Sequence, residues 1–317
     1  MSVFLAKRLF TLIITLLVAT LIVFLVLEIL PGDPASIMLG INAQADTLAA
    51  LRAEMGLDRP IPIRYISWVG DLITGDLGIS QTYSVPVSEL IIEGVYISLP
   101  LALMAMCLST LIAIPLGLIA ASNHNKPLDF IVMSFSQLGI AIPNFWFALL
   151  LMIFFSMTLN LLPAGGFAGW EAGFFPAMAS LILPTISLAL PQSAILARVT
   201  RSSLLDVLKE DYIRTARAKG ITYRAAIWKH ALRNALIPVV TIMGLQFSVL
   251  LAGTIIIENV FYLPGLGRLI FQAIARRDMI VVKNLIILLA SIVIIINFIV
   301  DVLYAVIDPR LRGGENG

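Results

Sequence analysis

Charge is scarce in this chain: Lys, Arg, Asp and Glu together make up 13% of the residues against 60% apolar ones. No water-soluble fold of 317 residues hides that much apolar surface, so the solvent around most of the chain is expected to be lipid. Cysteine is almost absent. Cys107 stands alone inside an apolar run, which rules out an intrachain disulfide, and one cysteine with two histidines cannot build a structural zinc site. No Gly-x-x-x-x-Gly-Lys-Ser/Thr phosphate loop occurs, so this chain cannot hydrolyse ATP in the P-loop manner. The Gly265-Leu266-Gly267-Arg268 turn is glycine-rich but lacks the lysine and follows no strand. His-Glu-x-x-His, Gly-x-Ser-x-Gly and paired carboxylates at a workable spacing are missing too, which argues against an intramembrane protease or hydrolase. No repeat of 20–50 residues and no low-complexity tract is visible. The chain is thus expected to be no enzyme, to carry no cofactor or metal, and to bind no nucleic acid.

What is present is a series of apolar runs. They lie near 9–30, 97–121, 131–159, 176–197, 236–257 and 285–307. Each is about as long as the roughly 20 residues that a helix needs to satisfy its own backbone across the hydrocarbon. The first, after Lys7 and Arg8, exceeds a signal-peptide core and reads as a retained span. The third carries Pro143-Asn144 near its middle, where a missing backbone donor should break or kink the helix. The expected fold is all-α, a membrane bundle of about six transmembrane helices in one domain, with an external insertion at 31–96.

Orientation follows from the basic residues, which collect on the cytoplasmic side. The 31–96 segment holds Arg52, Arg59 and Arg64 against eight acidic residues, and 160–175 holds only Glu171, so both read as external. The 198–235 segment holds nine cations: Arg198, Arg201, Lys209, Arg214, Arg217, Lys219, Arg224, Lys229 and Arg233. Inserting them would cost about 20–30 kcal/mol, so this stretch is expected in the cytoplasm. With Lys7, Arg8, Arg310 and Arg312 also inside, both termini are expected to be cytoplasmic. The 258–284 segment runs against this pattern, since it should be external yet contains Arg268, Arg276, Arg277 and Lys283.

Within the insertion, Asp46–Met55 has helical spacing, with Leu48, Leu51 and Met55 on one face and Gly56 as its stop. Pro60 and Pro62 precede a second amphipathic run, Ile63–Ile73, ended by Gly75 and Gly78. These helices either lie on the membrane and cover the external mouth or dock a partner. In the basic segment, Ser203 with Asp206 resembles a capping pair, Asp211 can cap a short helix through Lys219, Gly220 can take the left-handed stop, and Thr222 can cap the next helix through Asn234. On the short helix, Tyr212, Ala216 and Gly220 leave one face smooth while Arg214, Arg217 and Lys219 project elsewhere. Spacing alone leaves two uses open, docking into a groove of another protein or contact with anionic lipid.

Polar residues inside spans are costly unless they face a cavity or another helix. Gln137, Asn144, Gln192, Gln246 and Asn297 are therefore candidates either to line a pathway or to make interhelical hydrogen bonds. Glu28 and Asp301 sit near span ends, within reach of water.

The run from Asp211 to Gly220, Asp-Tyr-Ile-Arg-Thr-Ala-Arg-Ala-Lys-Gly, with His230-Ala231-Leu232-Arg233-Asn234-Ala235-Leu236-Ile237-Pro238 after it, resembles the EAA loop of bacterial ABC-importer permeases. Arg214-Thr215-Ala216 stands where the general pattern has Glu-Ala-Ala, and Pro238 falls late, as in the dipeptide, oligopeptide and nickel permease family. Leu30-Pro31-Gly32-Asp33-Pro34, Gly56-Leu57-Asp58-Arg59-Pro60 with Gly75-Asp76-Leu77-Gly78, and Leu263-Pro264-Gly265-Leu266-Gly267 are similar to that family at corresponding positions. The resemblance implies a permease subunit of the bacterial inner membrane. Its partners would be a second similar permease, two ATP-binding subunits and an external solute-binding protein, and its cargo peptides, or else nickel, glutathione or oligosaccharide. It also makes Asp211, Tyr212, Arg214, Thr215, Ala216, Arg217, Ala218, Lys219 and Gly220 the helix that couples to the ATPase. A secondary transporter or a membrane enzyme would be the reading from another class, but neither an inverted repeat nor a catalytic cluster is evident.

Overall fold

A computed structural model describes residues 2–29, 34–39, 44–54 and 56–307. Leu30–Asp33, Met55, Arg310 and Arg312, on which some of the expectations rest, lie outside the described residues. Apolar stretches in lipid must pair their own backbone groups, and the described residues accordingly form helices and no strand. In chain order they are α1 (Ser2–Ile29), α2 (Pro34–Leu39), α3 (Ala45–Glu54), α4 (Ile61–Thr74), α5 (Val87–Ser122), α6 (Pro127–Ala141), α7 (Asn144–Leu151), α8 (Phe174–Val207), α9 (Asp211–Ala218), α10 (Tyr223–Ala226), α11 (Leu232–Val260), α12 (Leu266–Ala275) and α13 (Met279–Ile307). Wide π-helical turns at Met152–Thr158 and Ile227–Ala231 extend α7 and lead into α11.

Five of these helices are long and apolar enough to cross a membrane, and the α6–α7 pair makes a sixth if counted as one span. That pair breaks where Pro143 was expected to break it, with a bend of 99°. Other ends differ from the expected ones. α5 begins at Val87, ten residues inside the expected insertion, and α8 runs on to Val207, past the expected end of the fourth span. α5, α8 and α11 continue through Pro100, Pro115, Pro184, Pro191 and Pro238. Neighbouring helices hold such helices together where one backbone bond is missing.

The chain divides into two compact units. The first comprises residues 1–96 and 265–295. In it, the second amphipathic run of the insertion does not lie alone: α4 packs on α1 through Phe24 and Trp68, whose rings stack at 5.9 Å, with Ile287 completing the core. Tyr65 Oη shares a hydrogen bond with Thr20 Oγ1 at 2.9 Å, and Arg64 pairs with Glu28 at 2.6 Å. Gly75 stops α4 in the left-handed conformation, φ +81°, as anticipated. Asp278 is 1% exposed and gathers donors from two segments, the Ser80 hydroxyl at 2.6 Å, the Thr82 amide at 3.0 Å and the Val281 amide at 3.3 Å. It thus caps α13 and pins the 80–82 turn. Two of the cations that ran against the topology are held here by rings, Arg276 over Tyr83 and Lys283 over Trp68.

The second unit, residues 97–264 and 296–317, is built around α8, which packs on α6, α7 and α11. Ala113, Leu196, Ala197 and Val239 bring α5, α8 and α11 into one core. Small residues permit the closest approaches. A Cβ on Gly117 would lie 2.5 Å from Thr200 Cβ and 2.7 Å from the Ala197 carbonyl, and one on Gly244 would lie 2.0 Å from Val300 Cγ2. Gly117→Ala should therefore force α5 and α8 apart at a cost of about 1–3 kcal/mol. This would be read as a lower unfolding temperature of the purified chain in detergent; an unchanged temperature would mean that the two helices have room to spare.

Candidate functional site

The Asp211–Gly220 stretch forms α9, a two-turn helix between α8 and α10. Its start differs from the expectation. Glu210, not Asp211, occupies the N-cap position, and no side chain caps the helix. Asp211 sits in the first turn, where its charge suits the helix dipole, and pairs with Arg214 at 3.2 Å. Both partners are largely exposed, so that pair contributes little. The stop is as expected and more complete: Gly220 has φ +91°, its amide donates to the Arg217 carbonyl at 3.0 Å, and the Ile221 amide donates to the Ala216 carbonyl at 3.3 Å. This double bond pattern ends a helix firmly and favours glycine at the left-handed position.

The residue that anchors α9 is Ile213, which is 1% exposed and absent from the sequence-level candidates. It belongs to one buried cluster with Leu118 and Ala121 of α5, Leu204 of α8, Ala226 of α10, Ile227 and Ala231 of the π turn, and Ala235 of α11. The alanines let three long helices approach closely enough to share one side chain of the short one. Tyr212 Oη accepts a hydrogen bond from Asn234 Nδ2 at 2.8 Å, and the Arg217 guanidinium lies 5.4 Å from the centre of the Tyr223 ring. α9 is therefore held along one side, while Asp211, Tyr212, Arg214, Thr215, Arg217, Ala218, Lys219 and Gly220 remain exposed and Ala216 is half-buried.

The flanks correct two further expectations. Ser203 and Asp206 do not begin a helix; they belong to α8, which continues because Leu204, 0% exposed, is part of the Ile213 cluster. Thr222 does cap α10, with its Oγ1 accepting from the Ala225 amide at 3.4 Å. That helix does not end at Asn234, however, but passes through the π turn at Ile227–Ala231 into α11. Two of the nine cations are not part of an open loop. Arg198 donates to Gln137 Oε1 at 2.6 Å, and Arg201 grips Asp129 with Nε at 2.6 Å and Nη2 at 2.7 Å. Asp129 is 4% exposed and also accepts from the Asn125 amide at 3.1 Å, while His124 Nδ1 lies 3.3 Å from Oδ2. α6 and α8 are thus clasped by a bidentate ion pair, a strong and directional contact.

The polar span residues separate into groups. Gln192 on α8 and Gln246 on α11 are buried, with Gln192 Oε1 and both polar atoms of the Gln246 amide left without a hydrogen-bond partner. Gln137 is exposed and committed to Arg198, Asn144 is half-buried in the first turn of α7, and Asn297 is exposed. Among the described residues, no group of three or more His, Cys, Asp or Glu side chains could hold a metal ion.

Residues 113–313 match the model of the family described as binding-protein-dependent transport system inner membrane component, and residues 1–88 match its N-terminal counterpart. A putative peptide transport system permease protein of Brucella abortus is 41% identical over 312 residues, covering 98% of this chain and 99% of the relative. The glutathione transport system permease protein GsiC of Salmonella typhi is 42% identical over 306 residues, covering 96% and 97%. A probable peptide ABC transporter permease protein of Sinorhizobium fredii is 36% identical over 312 residues, covering 98% and 100%. In fold, the chain resembles an inward-facing structure of the MetNI methionine ABC transporter, with a TM-score of 0.58 at 18% identity over 70% of this chain and 97% of that one. The chain belongs to the family of binding-protein-dependent transport system inner membrane components and is a multi-pass inner-membrane permease subunit of an ABC importer.

Proposed function

We propose that this permease carries peptides and that α9 is the element through which ATPase subunits drive it. Two of the relatives named above are peptide permeases and a third is a glutathione permease, glutathione being itself a tripeptide. The observation that carries the coupling reading is the seating of Ile213 at the meeting point of α5, α8 and α11. A push on the exposed side of α9 reaches three long helices through one packed side chain, and close-packed interiors pass such displacements on. The partners in this reading are a second permease, two ATP-binding subunits and an external solute-binding protein. Both termini and α9 lie in the cytoplasm, on the side where the basic residues collect. Gln192 and Gln246, whose buried amides lack partners, are the pathway or inter-subunit residues of this reading.

Ala218→Trp puts bulk on the exposed side of α9, the side that enters the ATPase in this reading, and should abolish co-purification of the ATP-binding subunits and peptide uptake, with membrane insertion intact. Gly220→Ala should do far less. A Cβ there meets nothing within 4 Å, so only the left-handed backbone is penalised. At about 1–2 kcal/mol this is a partial loss of uptake. If Ala218→Trp leaves ATPase association and uptake at the normal level, α9 is not the docking element. If a saturating peptide fails to compete with transport, the cargo assignment fails separately.

A further inference from the structure

The unit formed by residues 1–96 and 265–295 carries a partly open cavity of about 640 Å³, and none of the coupling or polar span residues lines it. That volume is in the range of small-molecule sites, about 300–1,000 Å³. Its apolar side is the stacked pair Phe24 and Trp68. Its polar side is unfinished. Trp68 Nε1, Asn284 Oδ1 and Gln81 Nε2 are buried atoms with no hydrogen-bond partner, and all three residues line the cavity. Trp68 is 7% exposed and Asn284 3% exposed. The Asn284 amide is held in place by its own Nδ2, which donates to the Leu77 carbonyl at 2.7 Å. Leaving such groups unpaired is costly, and a ligand that supplies their partners recovers that cost.

The charges lining the cavity show the same division. Arg64 and Glu28 satisfy each other at 2.6 Å. Lys283, half-buried with its ammonium 4.6 Å from the centre of the Trp68 ring, has no carboxylate within ion-pair distance among the described residues. Asp71, one of the charged neighbours of Lys283, makes no side-chain hydrogen bond or ion pair among the described residues. Lys283, over the Trp68 ring but without a carboxylate, and Asp71 thus stay open, as do the exposed Asp58 and Arg59, so the lining offers unpaired charges of both signs. A ligand of a single charge sign would satisfy one and repel the other. We propose that this cavity binds an amphipathic zwitterion, with its anionic group on Lys283 and the Trp68 indole N–H, its primary ammonium on Asp71 and the Asn284 carbonyl, and its apolar part against Phe24 and Trp68. A short peptide or amino acid with an apolar side chain has this chemistry, and so does an ethanolamine phospholipid headgroup. This goes beyond the transport reading and does not need it, because binding is measured without an ATPase.

The test uses the full-length chain in phosphatidylcholine nanodiscs, titrated by calorimetry with alanyl-phenylalanine, its N-acetyl form and its C-terminal amide. A parallel preparation in mixed phosphatidylethanolamine and phosphatidylcholine nanodiscs is examined by native mass spectrometry for retained lipid. The expected result is saturable binding of the free dipeptide, at least tenfold weaker binding of either blocked form, and at least tenfold weaker binding by Lys283→Met and by Asp71→Asn. Trp68→Phe keeps an aromatic ring against Phe24 while removing the N–H and part of the indole surface, so it should weaken binding severalfold even if the Lys283 variant fails to fold. Selective retention of phosphatidylethanolamine that Asp71→Asn abolishes, without dipeptide binding, would identify the lipid headgroup as the source of the same zwitterion. The proposal is overturned if neither ligand is held, if the blocked peptides bind as well as the free one, or if none of the three substitutions changes binding.

Discussion

Ile213→Ala should release α9 from the membrane helices while leaving the protein inserted. Ile213 is 1% exposed and shares one buried cluster with residues of α5, α8, α10 and α11. Truncating such a residue costs about 2–5 kcal/mol, part of it from the cavity left behind. The cost falls locally, because α9 has only two turns and is otherwise held by the Tyr212–Asn234 hydrogen bond at 2.8 Å and by exposed contacts. Hydrogen exchange of residues 211–220 should accelerate by roughly 30-fold or more, as expected when a local unit loses about 2 kcal/mol or more. Peptide uptake should fall by at least tenfold, with ATP hydrolysis no longer stimulated by substrate. Ile213→Val, which removes one methyl group and costs about 0.5–1.5 kcal/mol, should be intermediate. If exchange in 211–220 is unaltered in the alanine variant, Ile213 is not what holds α9.

The second large effect is expected at Asp129. Its carboxylate receives two bonds from Arg201 and one from the Asn125 amide, with a side-chain exposure of 6% against 23% for Arg201. Asp129→Asn keeps the shape but turns an amide nitrogen toward guanidinium donors, stranding a partly buried cation. Breaking a fully buried pair costs about 3–5 kcal/mol. Because Arg201 is partly exposed, about 2–3 kcal/mol is expected here, seen as a lower unfolding temperature in detergent. Arg201→Lys should not preserve stability, since an ammonium cannot reproduce the bidentate fork. The double variant Asp129→Asn with Arg201→Gln should recover part of the loss, and the difference from additivity measures the pair. Strict additivity of the two single effects would show that α6 and α8 are not clasped by this contact.

Much of the architecture was legible in the residues because lipid imposes a rule that needs no knowledge of neighbours. Runs such as 9–30 and 285–307 must be helical wherever they pack, since nothing in hydrocarbon will pair their backbone. Local backbone chemistry was equally readable. Pro143 breaks the third span, Gly75 and Gly220 take left-handed stops, and Thr222 caps α10, each because the residue itself prefers that conformation. The expected cap at Ser203 failed because Leu204, next to it, is buried in the Ile213 cluster, and that packing outweighs a local alternative. Asp211 failed as a cap for a similar reason: the chain enters the helix one residue earlier, and the aspartate turns to Arg214.

What could not be read were partners far apart in the chain. Asp129 and Arg201 are 72 residues apart, and Ser80 and Asp278 are 198 apart; neither pair has a spacing rule that would join them. Ile213 looked like any apolar residue in a basic segment, and its importance comes from a pocket assembled by three other helices. The sequence by itself determined a membrane-embedded helical permease and placed the short helix α9 with its glycine stop, because hydrophobic length and local turn chemistry act residue by residue. Only the tertiary structure decided how that segment is fastened, which cations are committed to carboxylates and which charges remain open in the cavity beside Trp68. Those properties depend on which side chains meet, and packing alone brings them together.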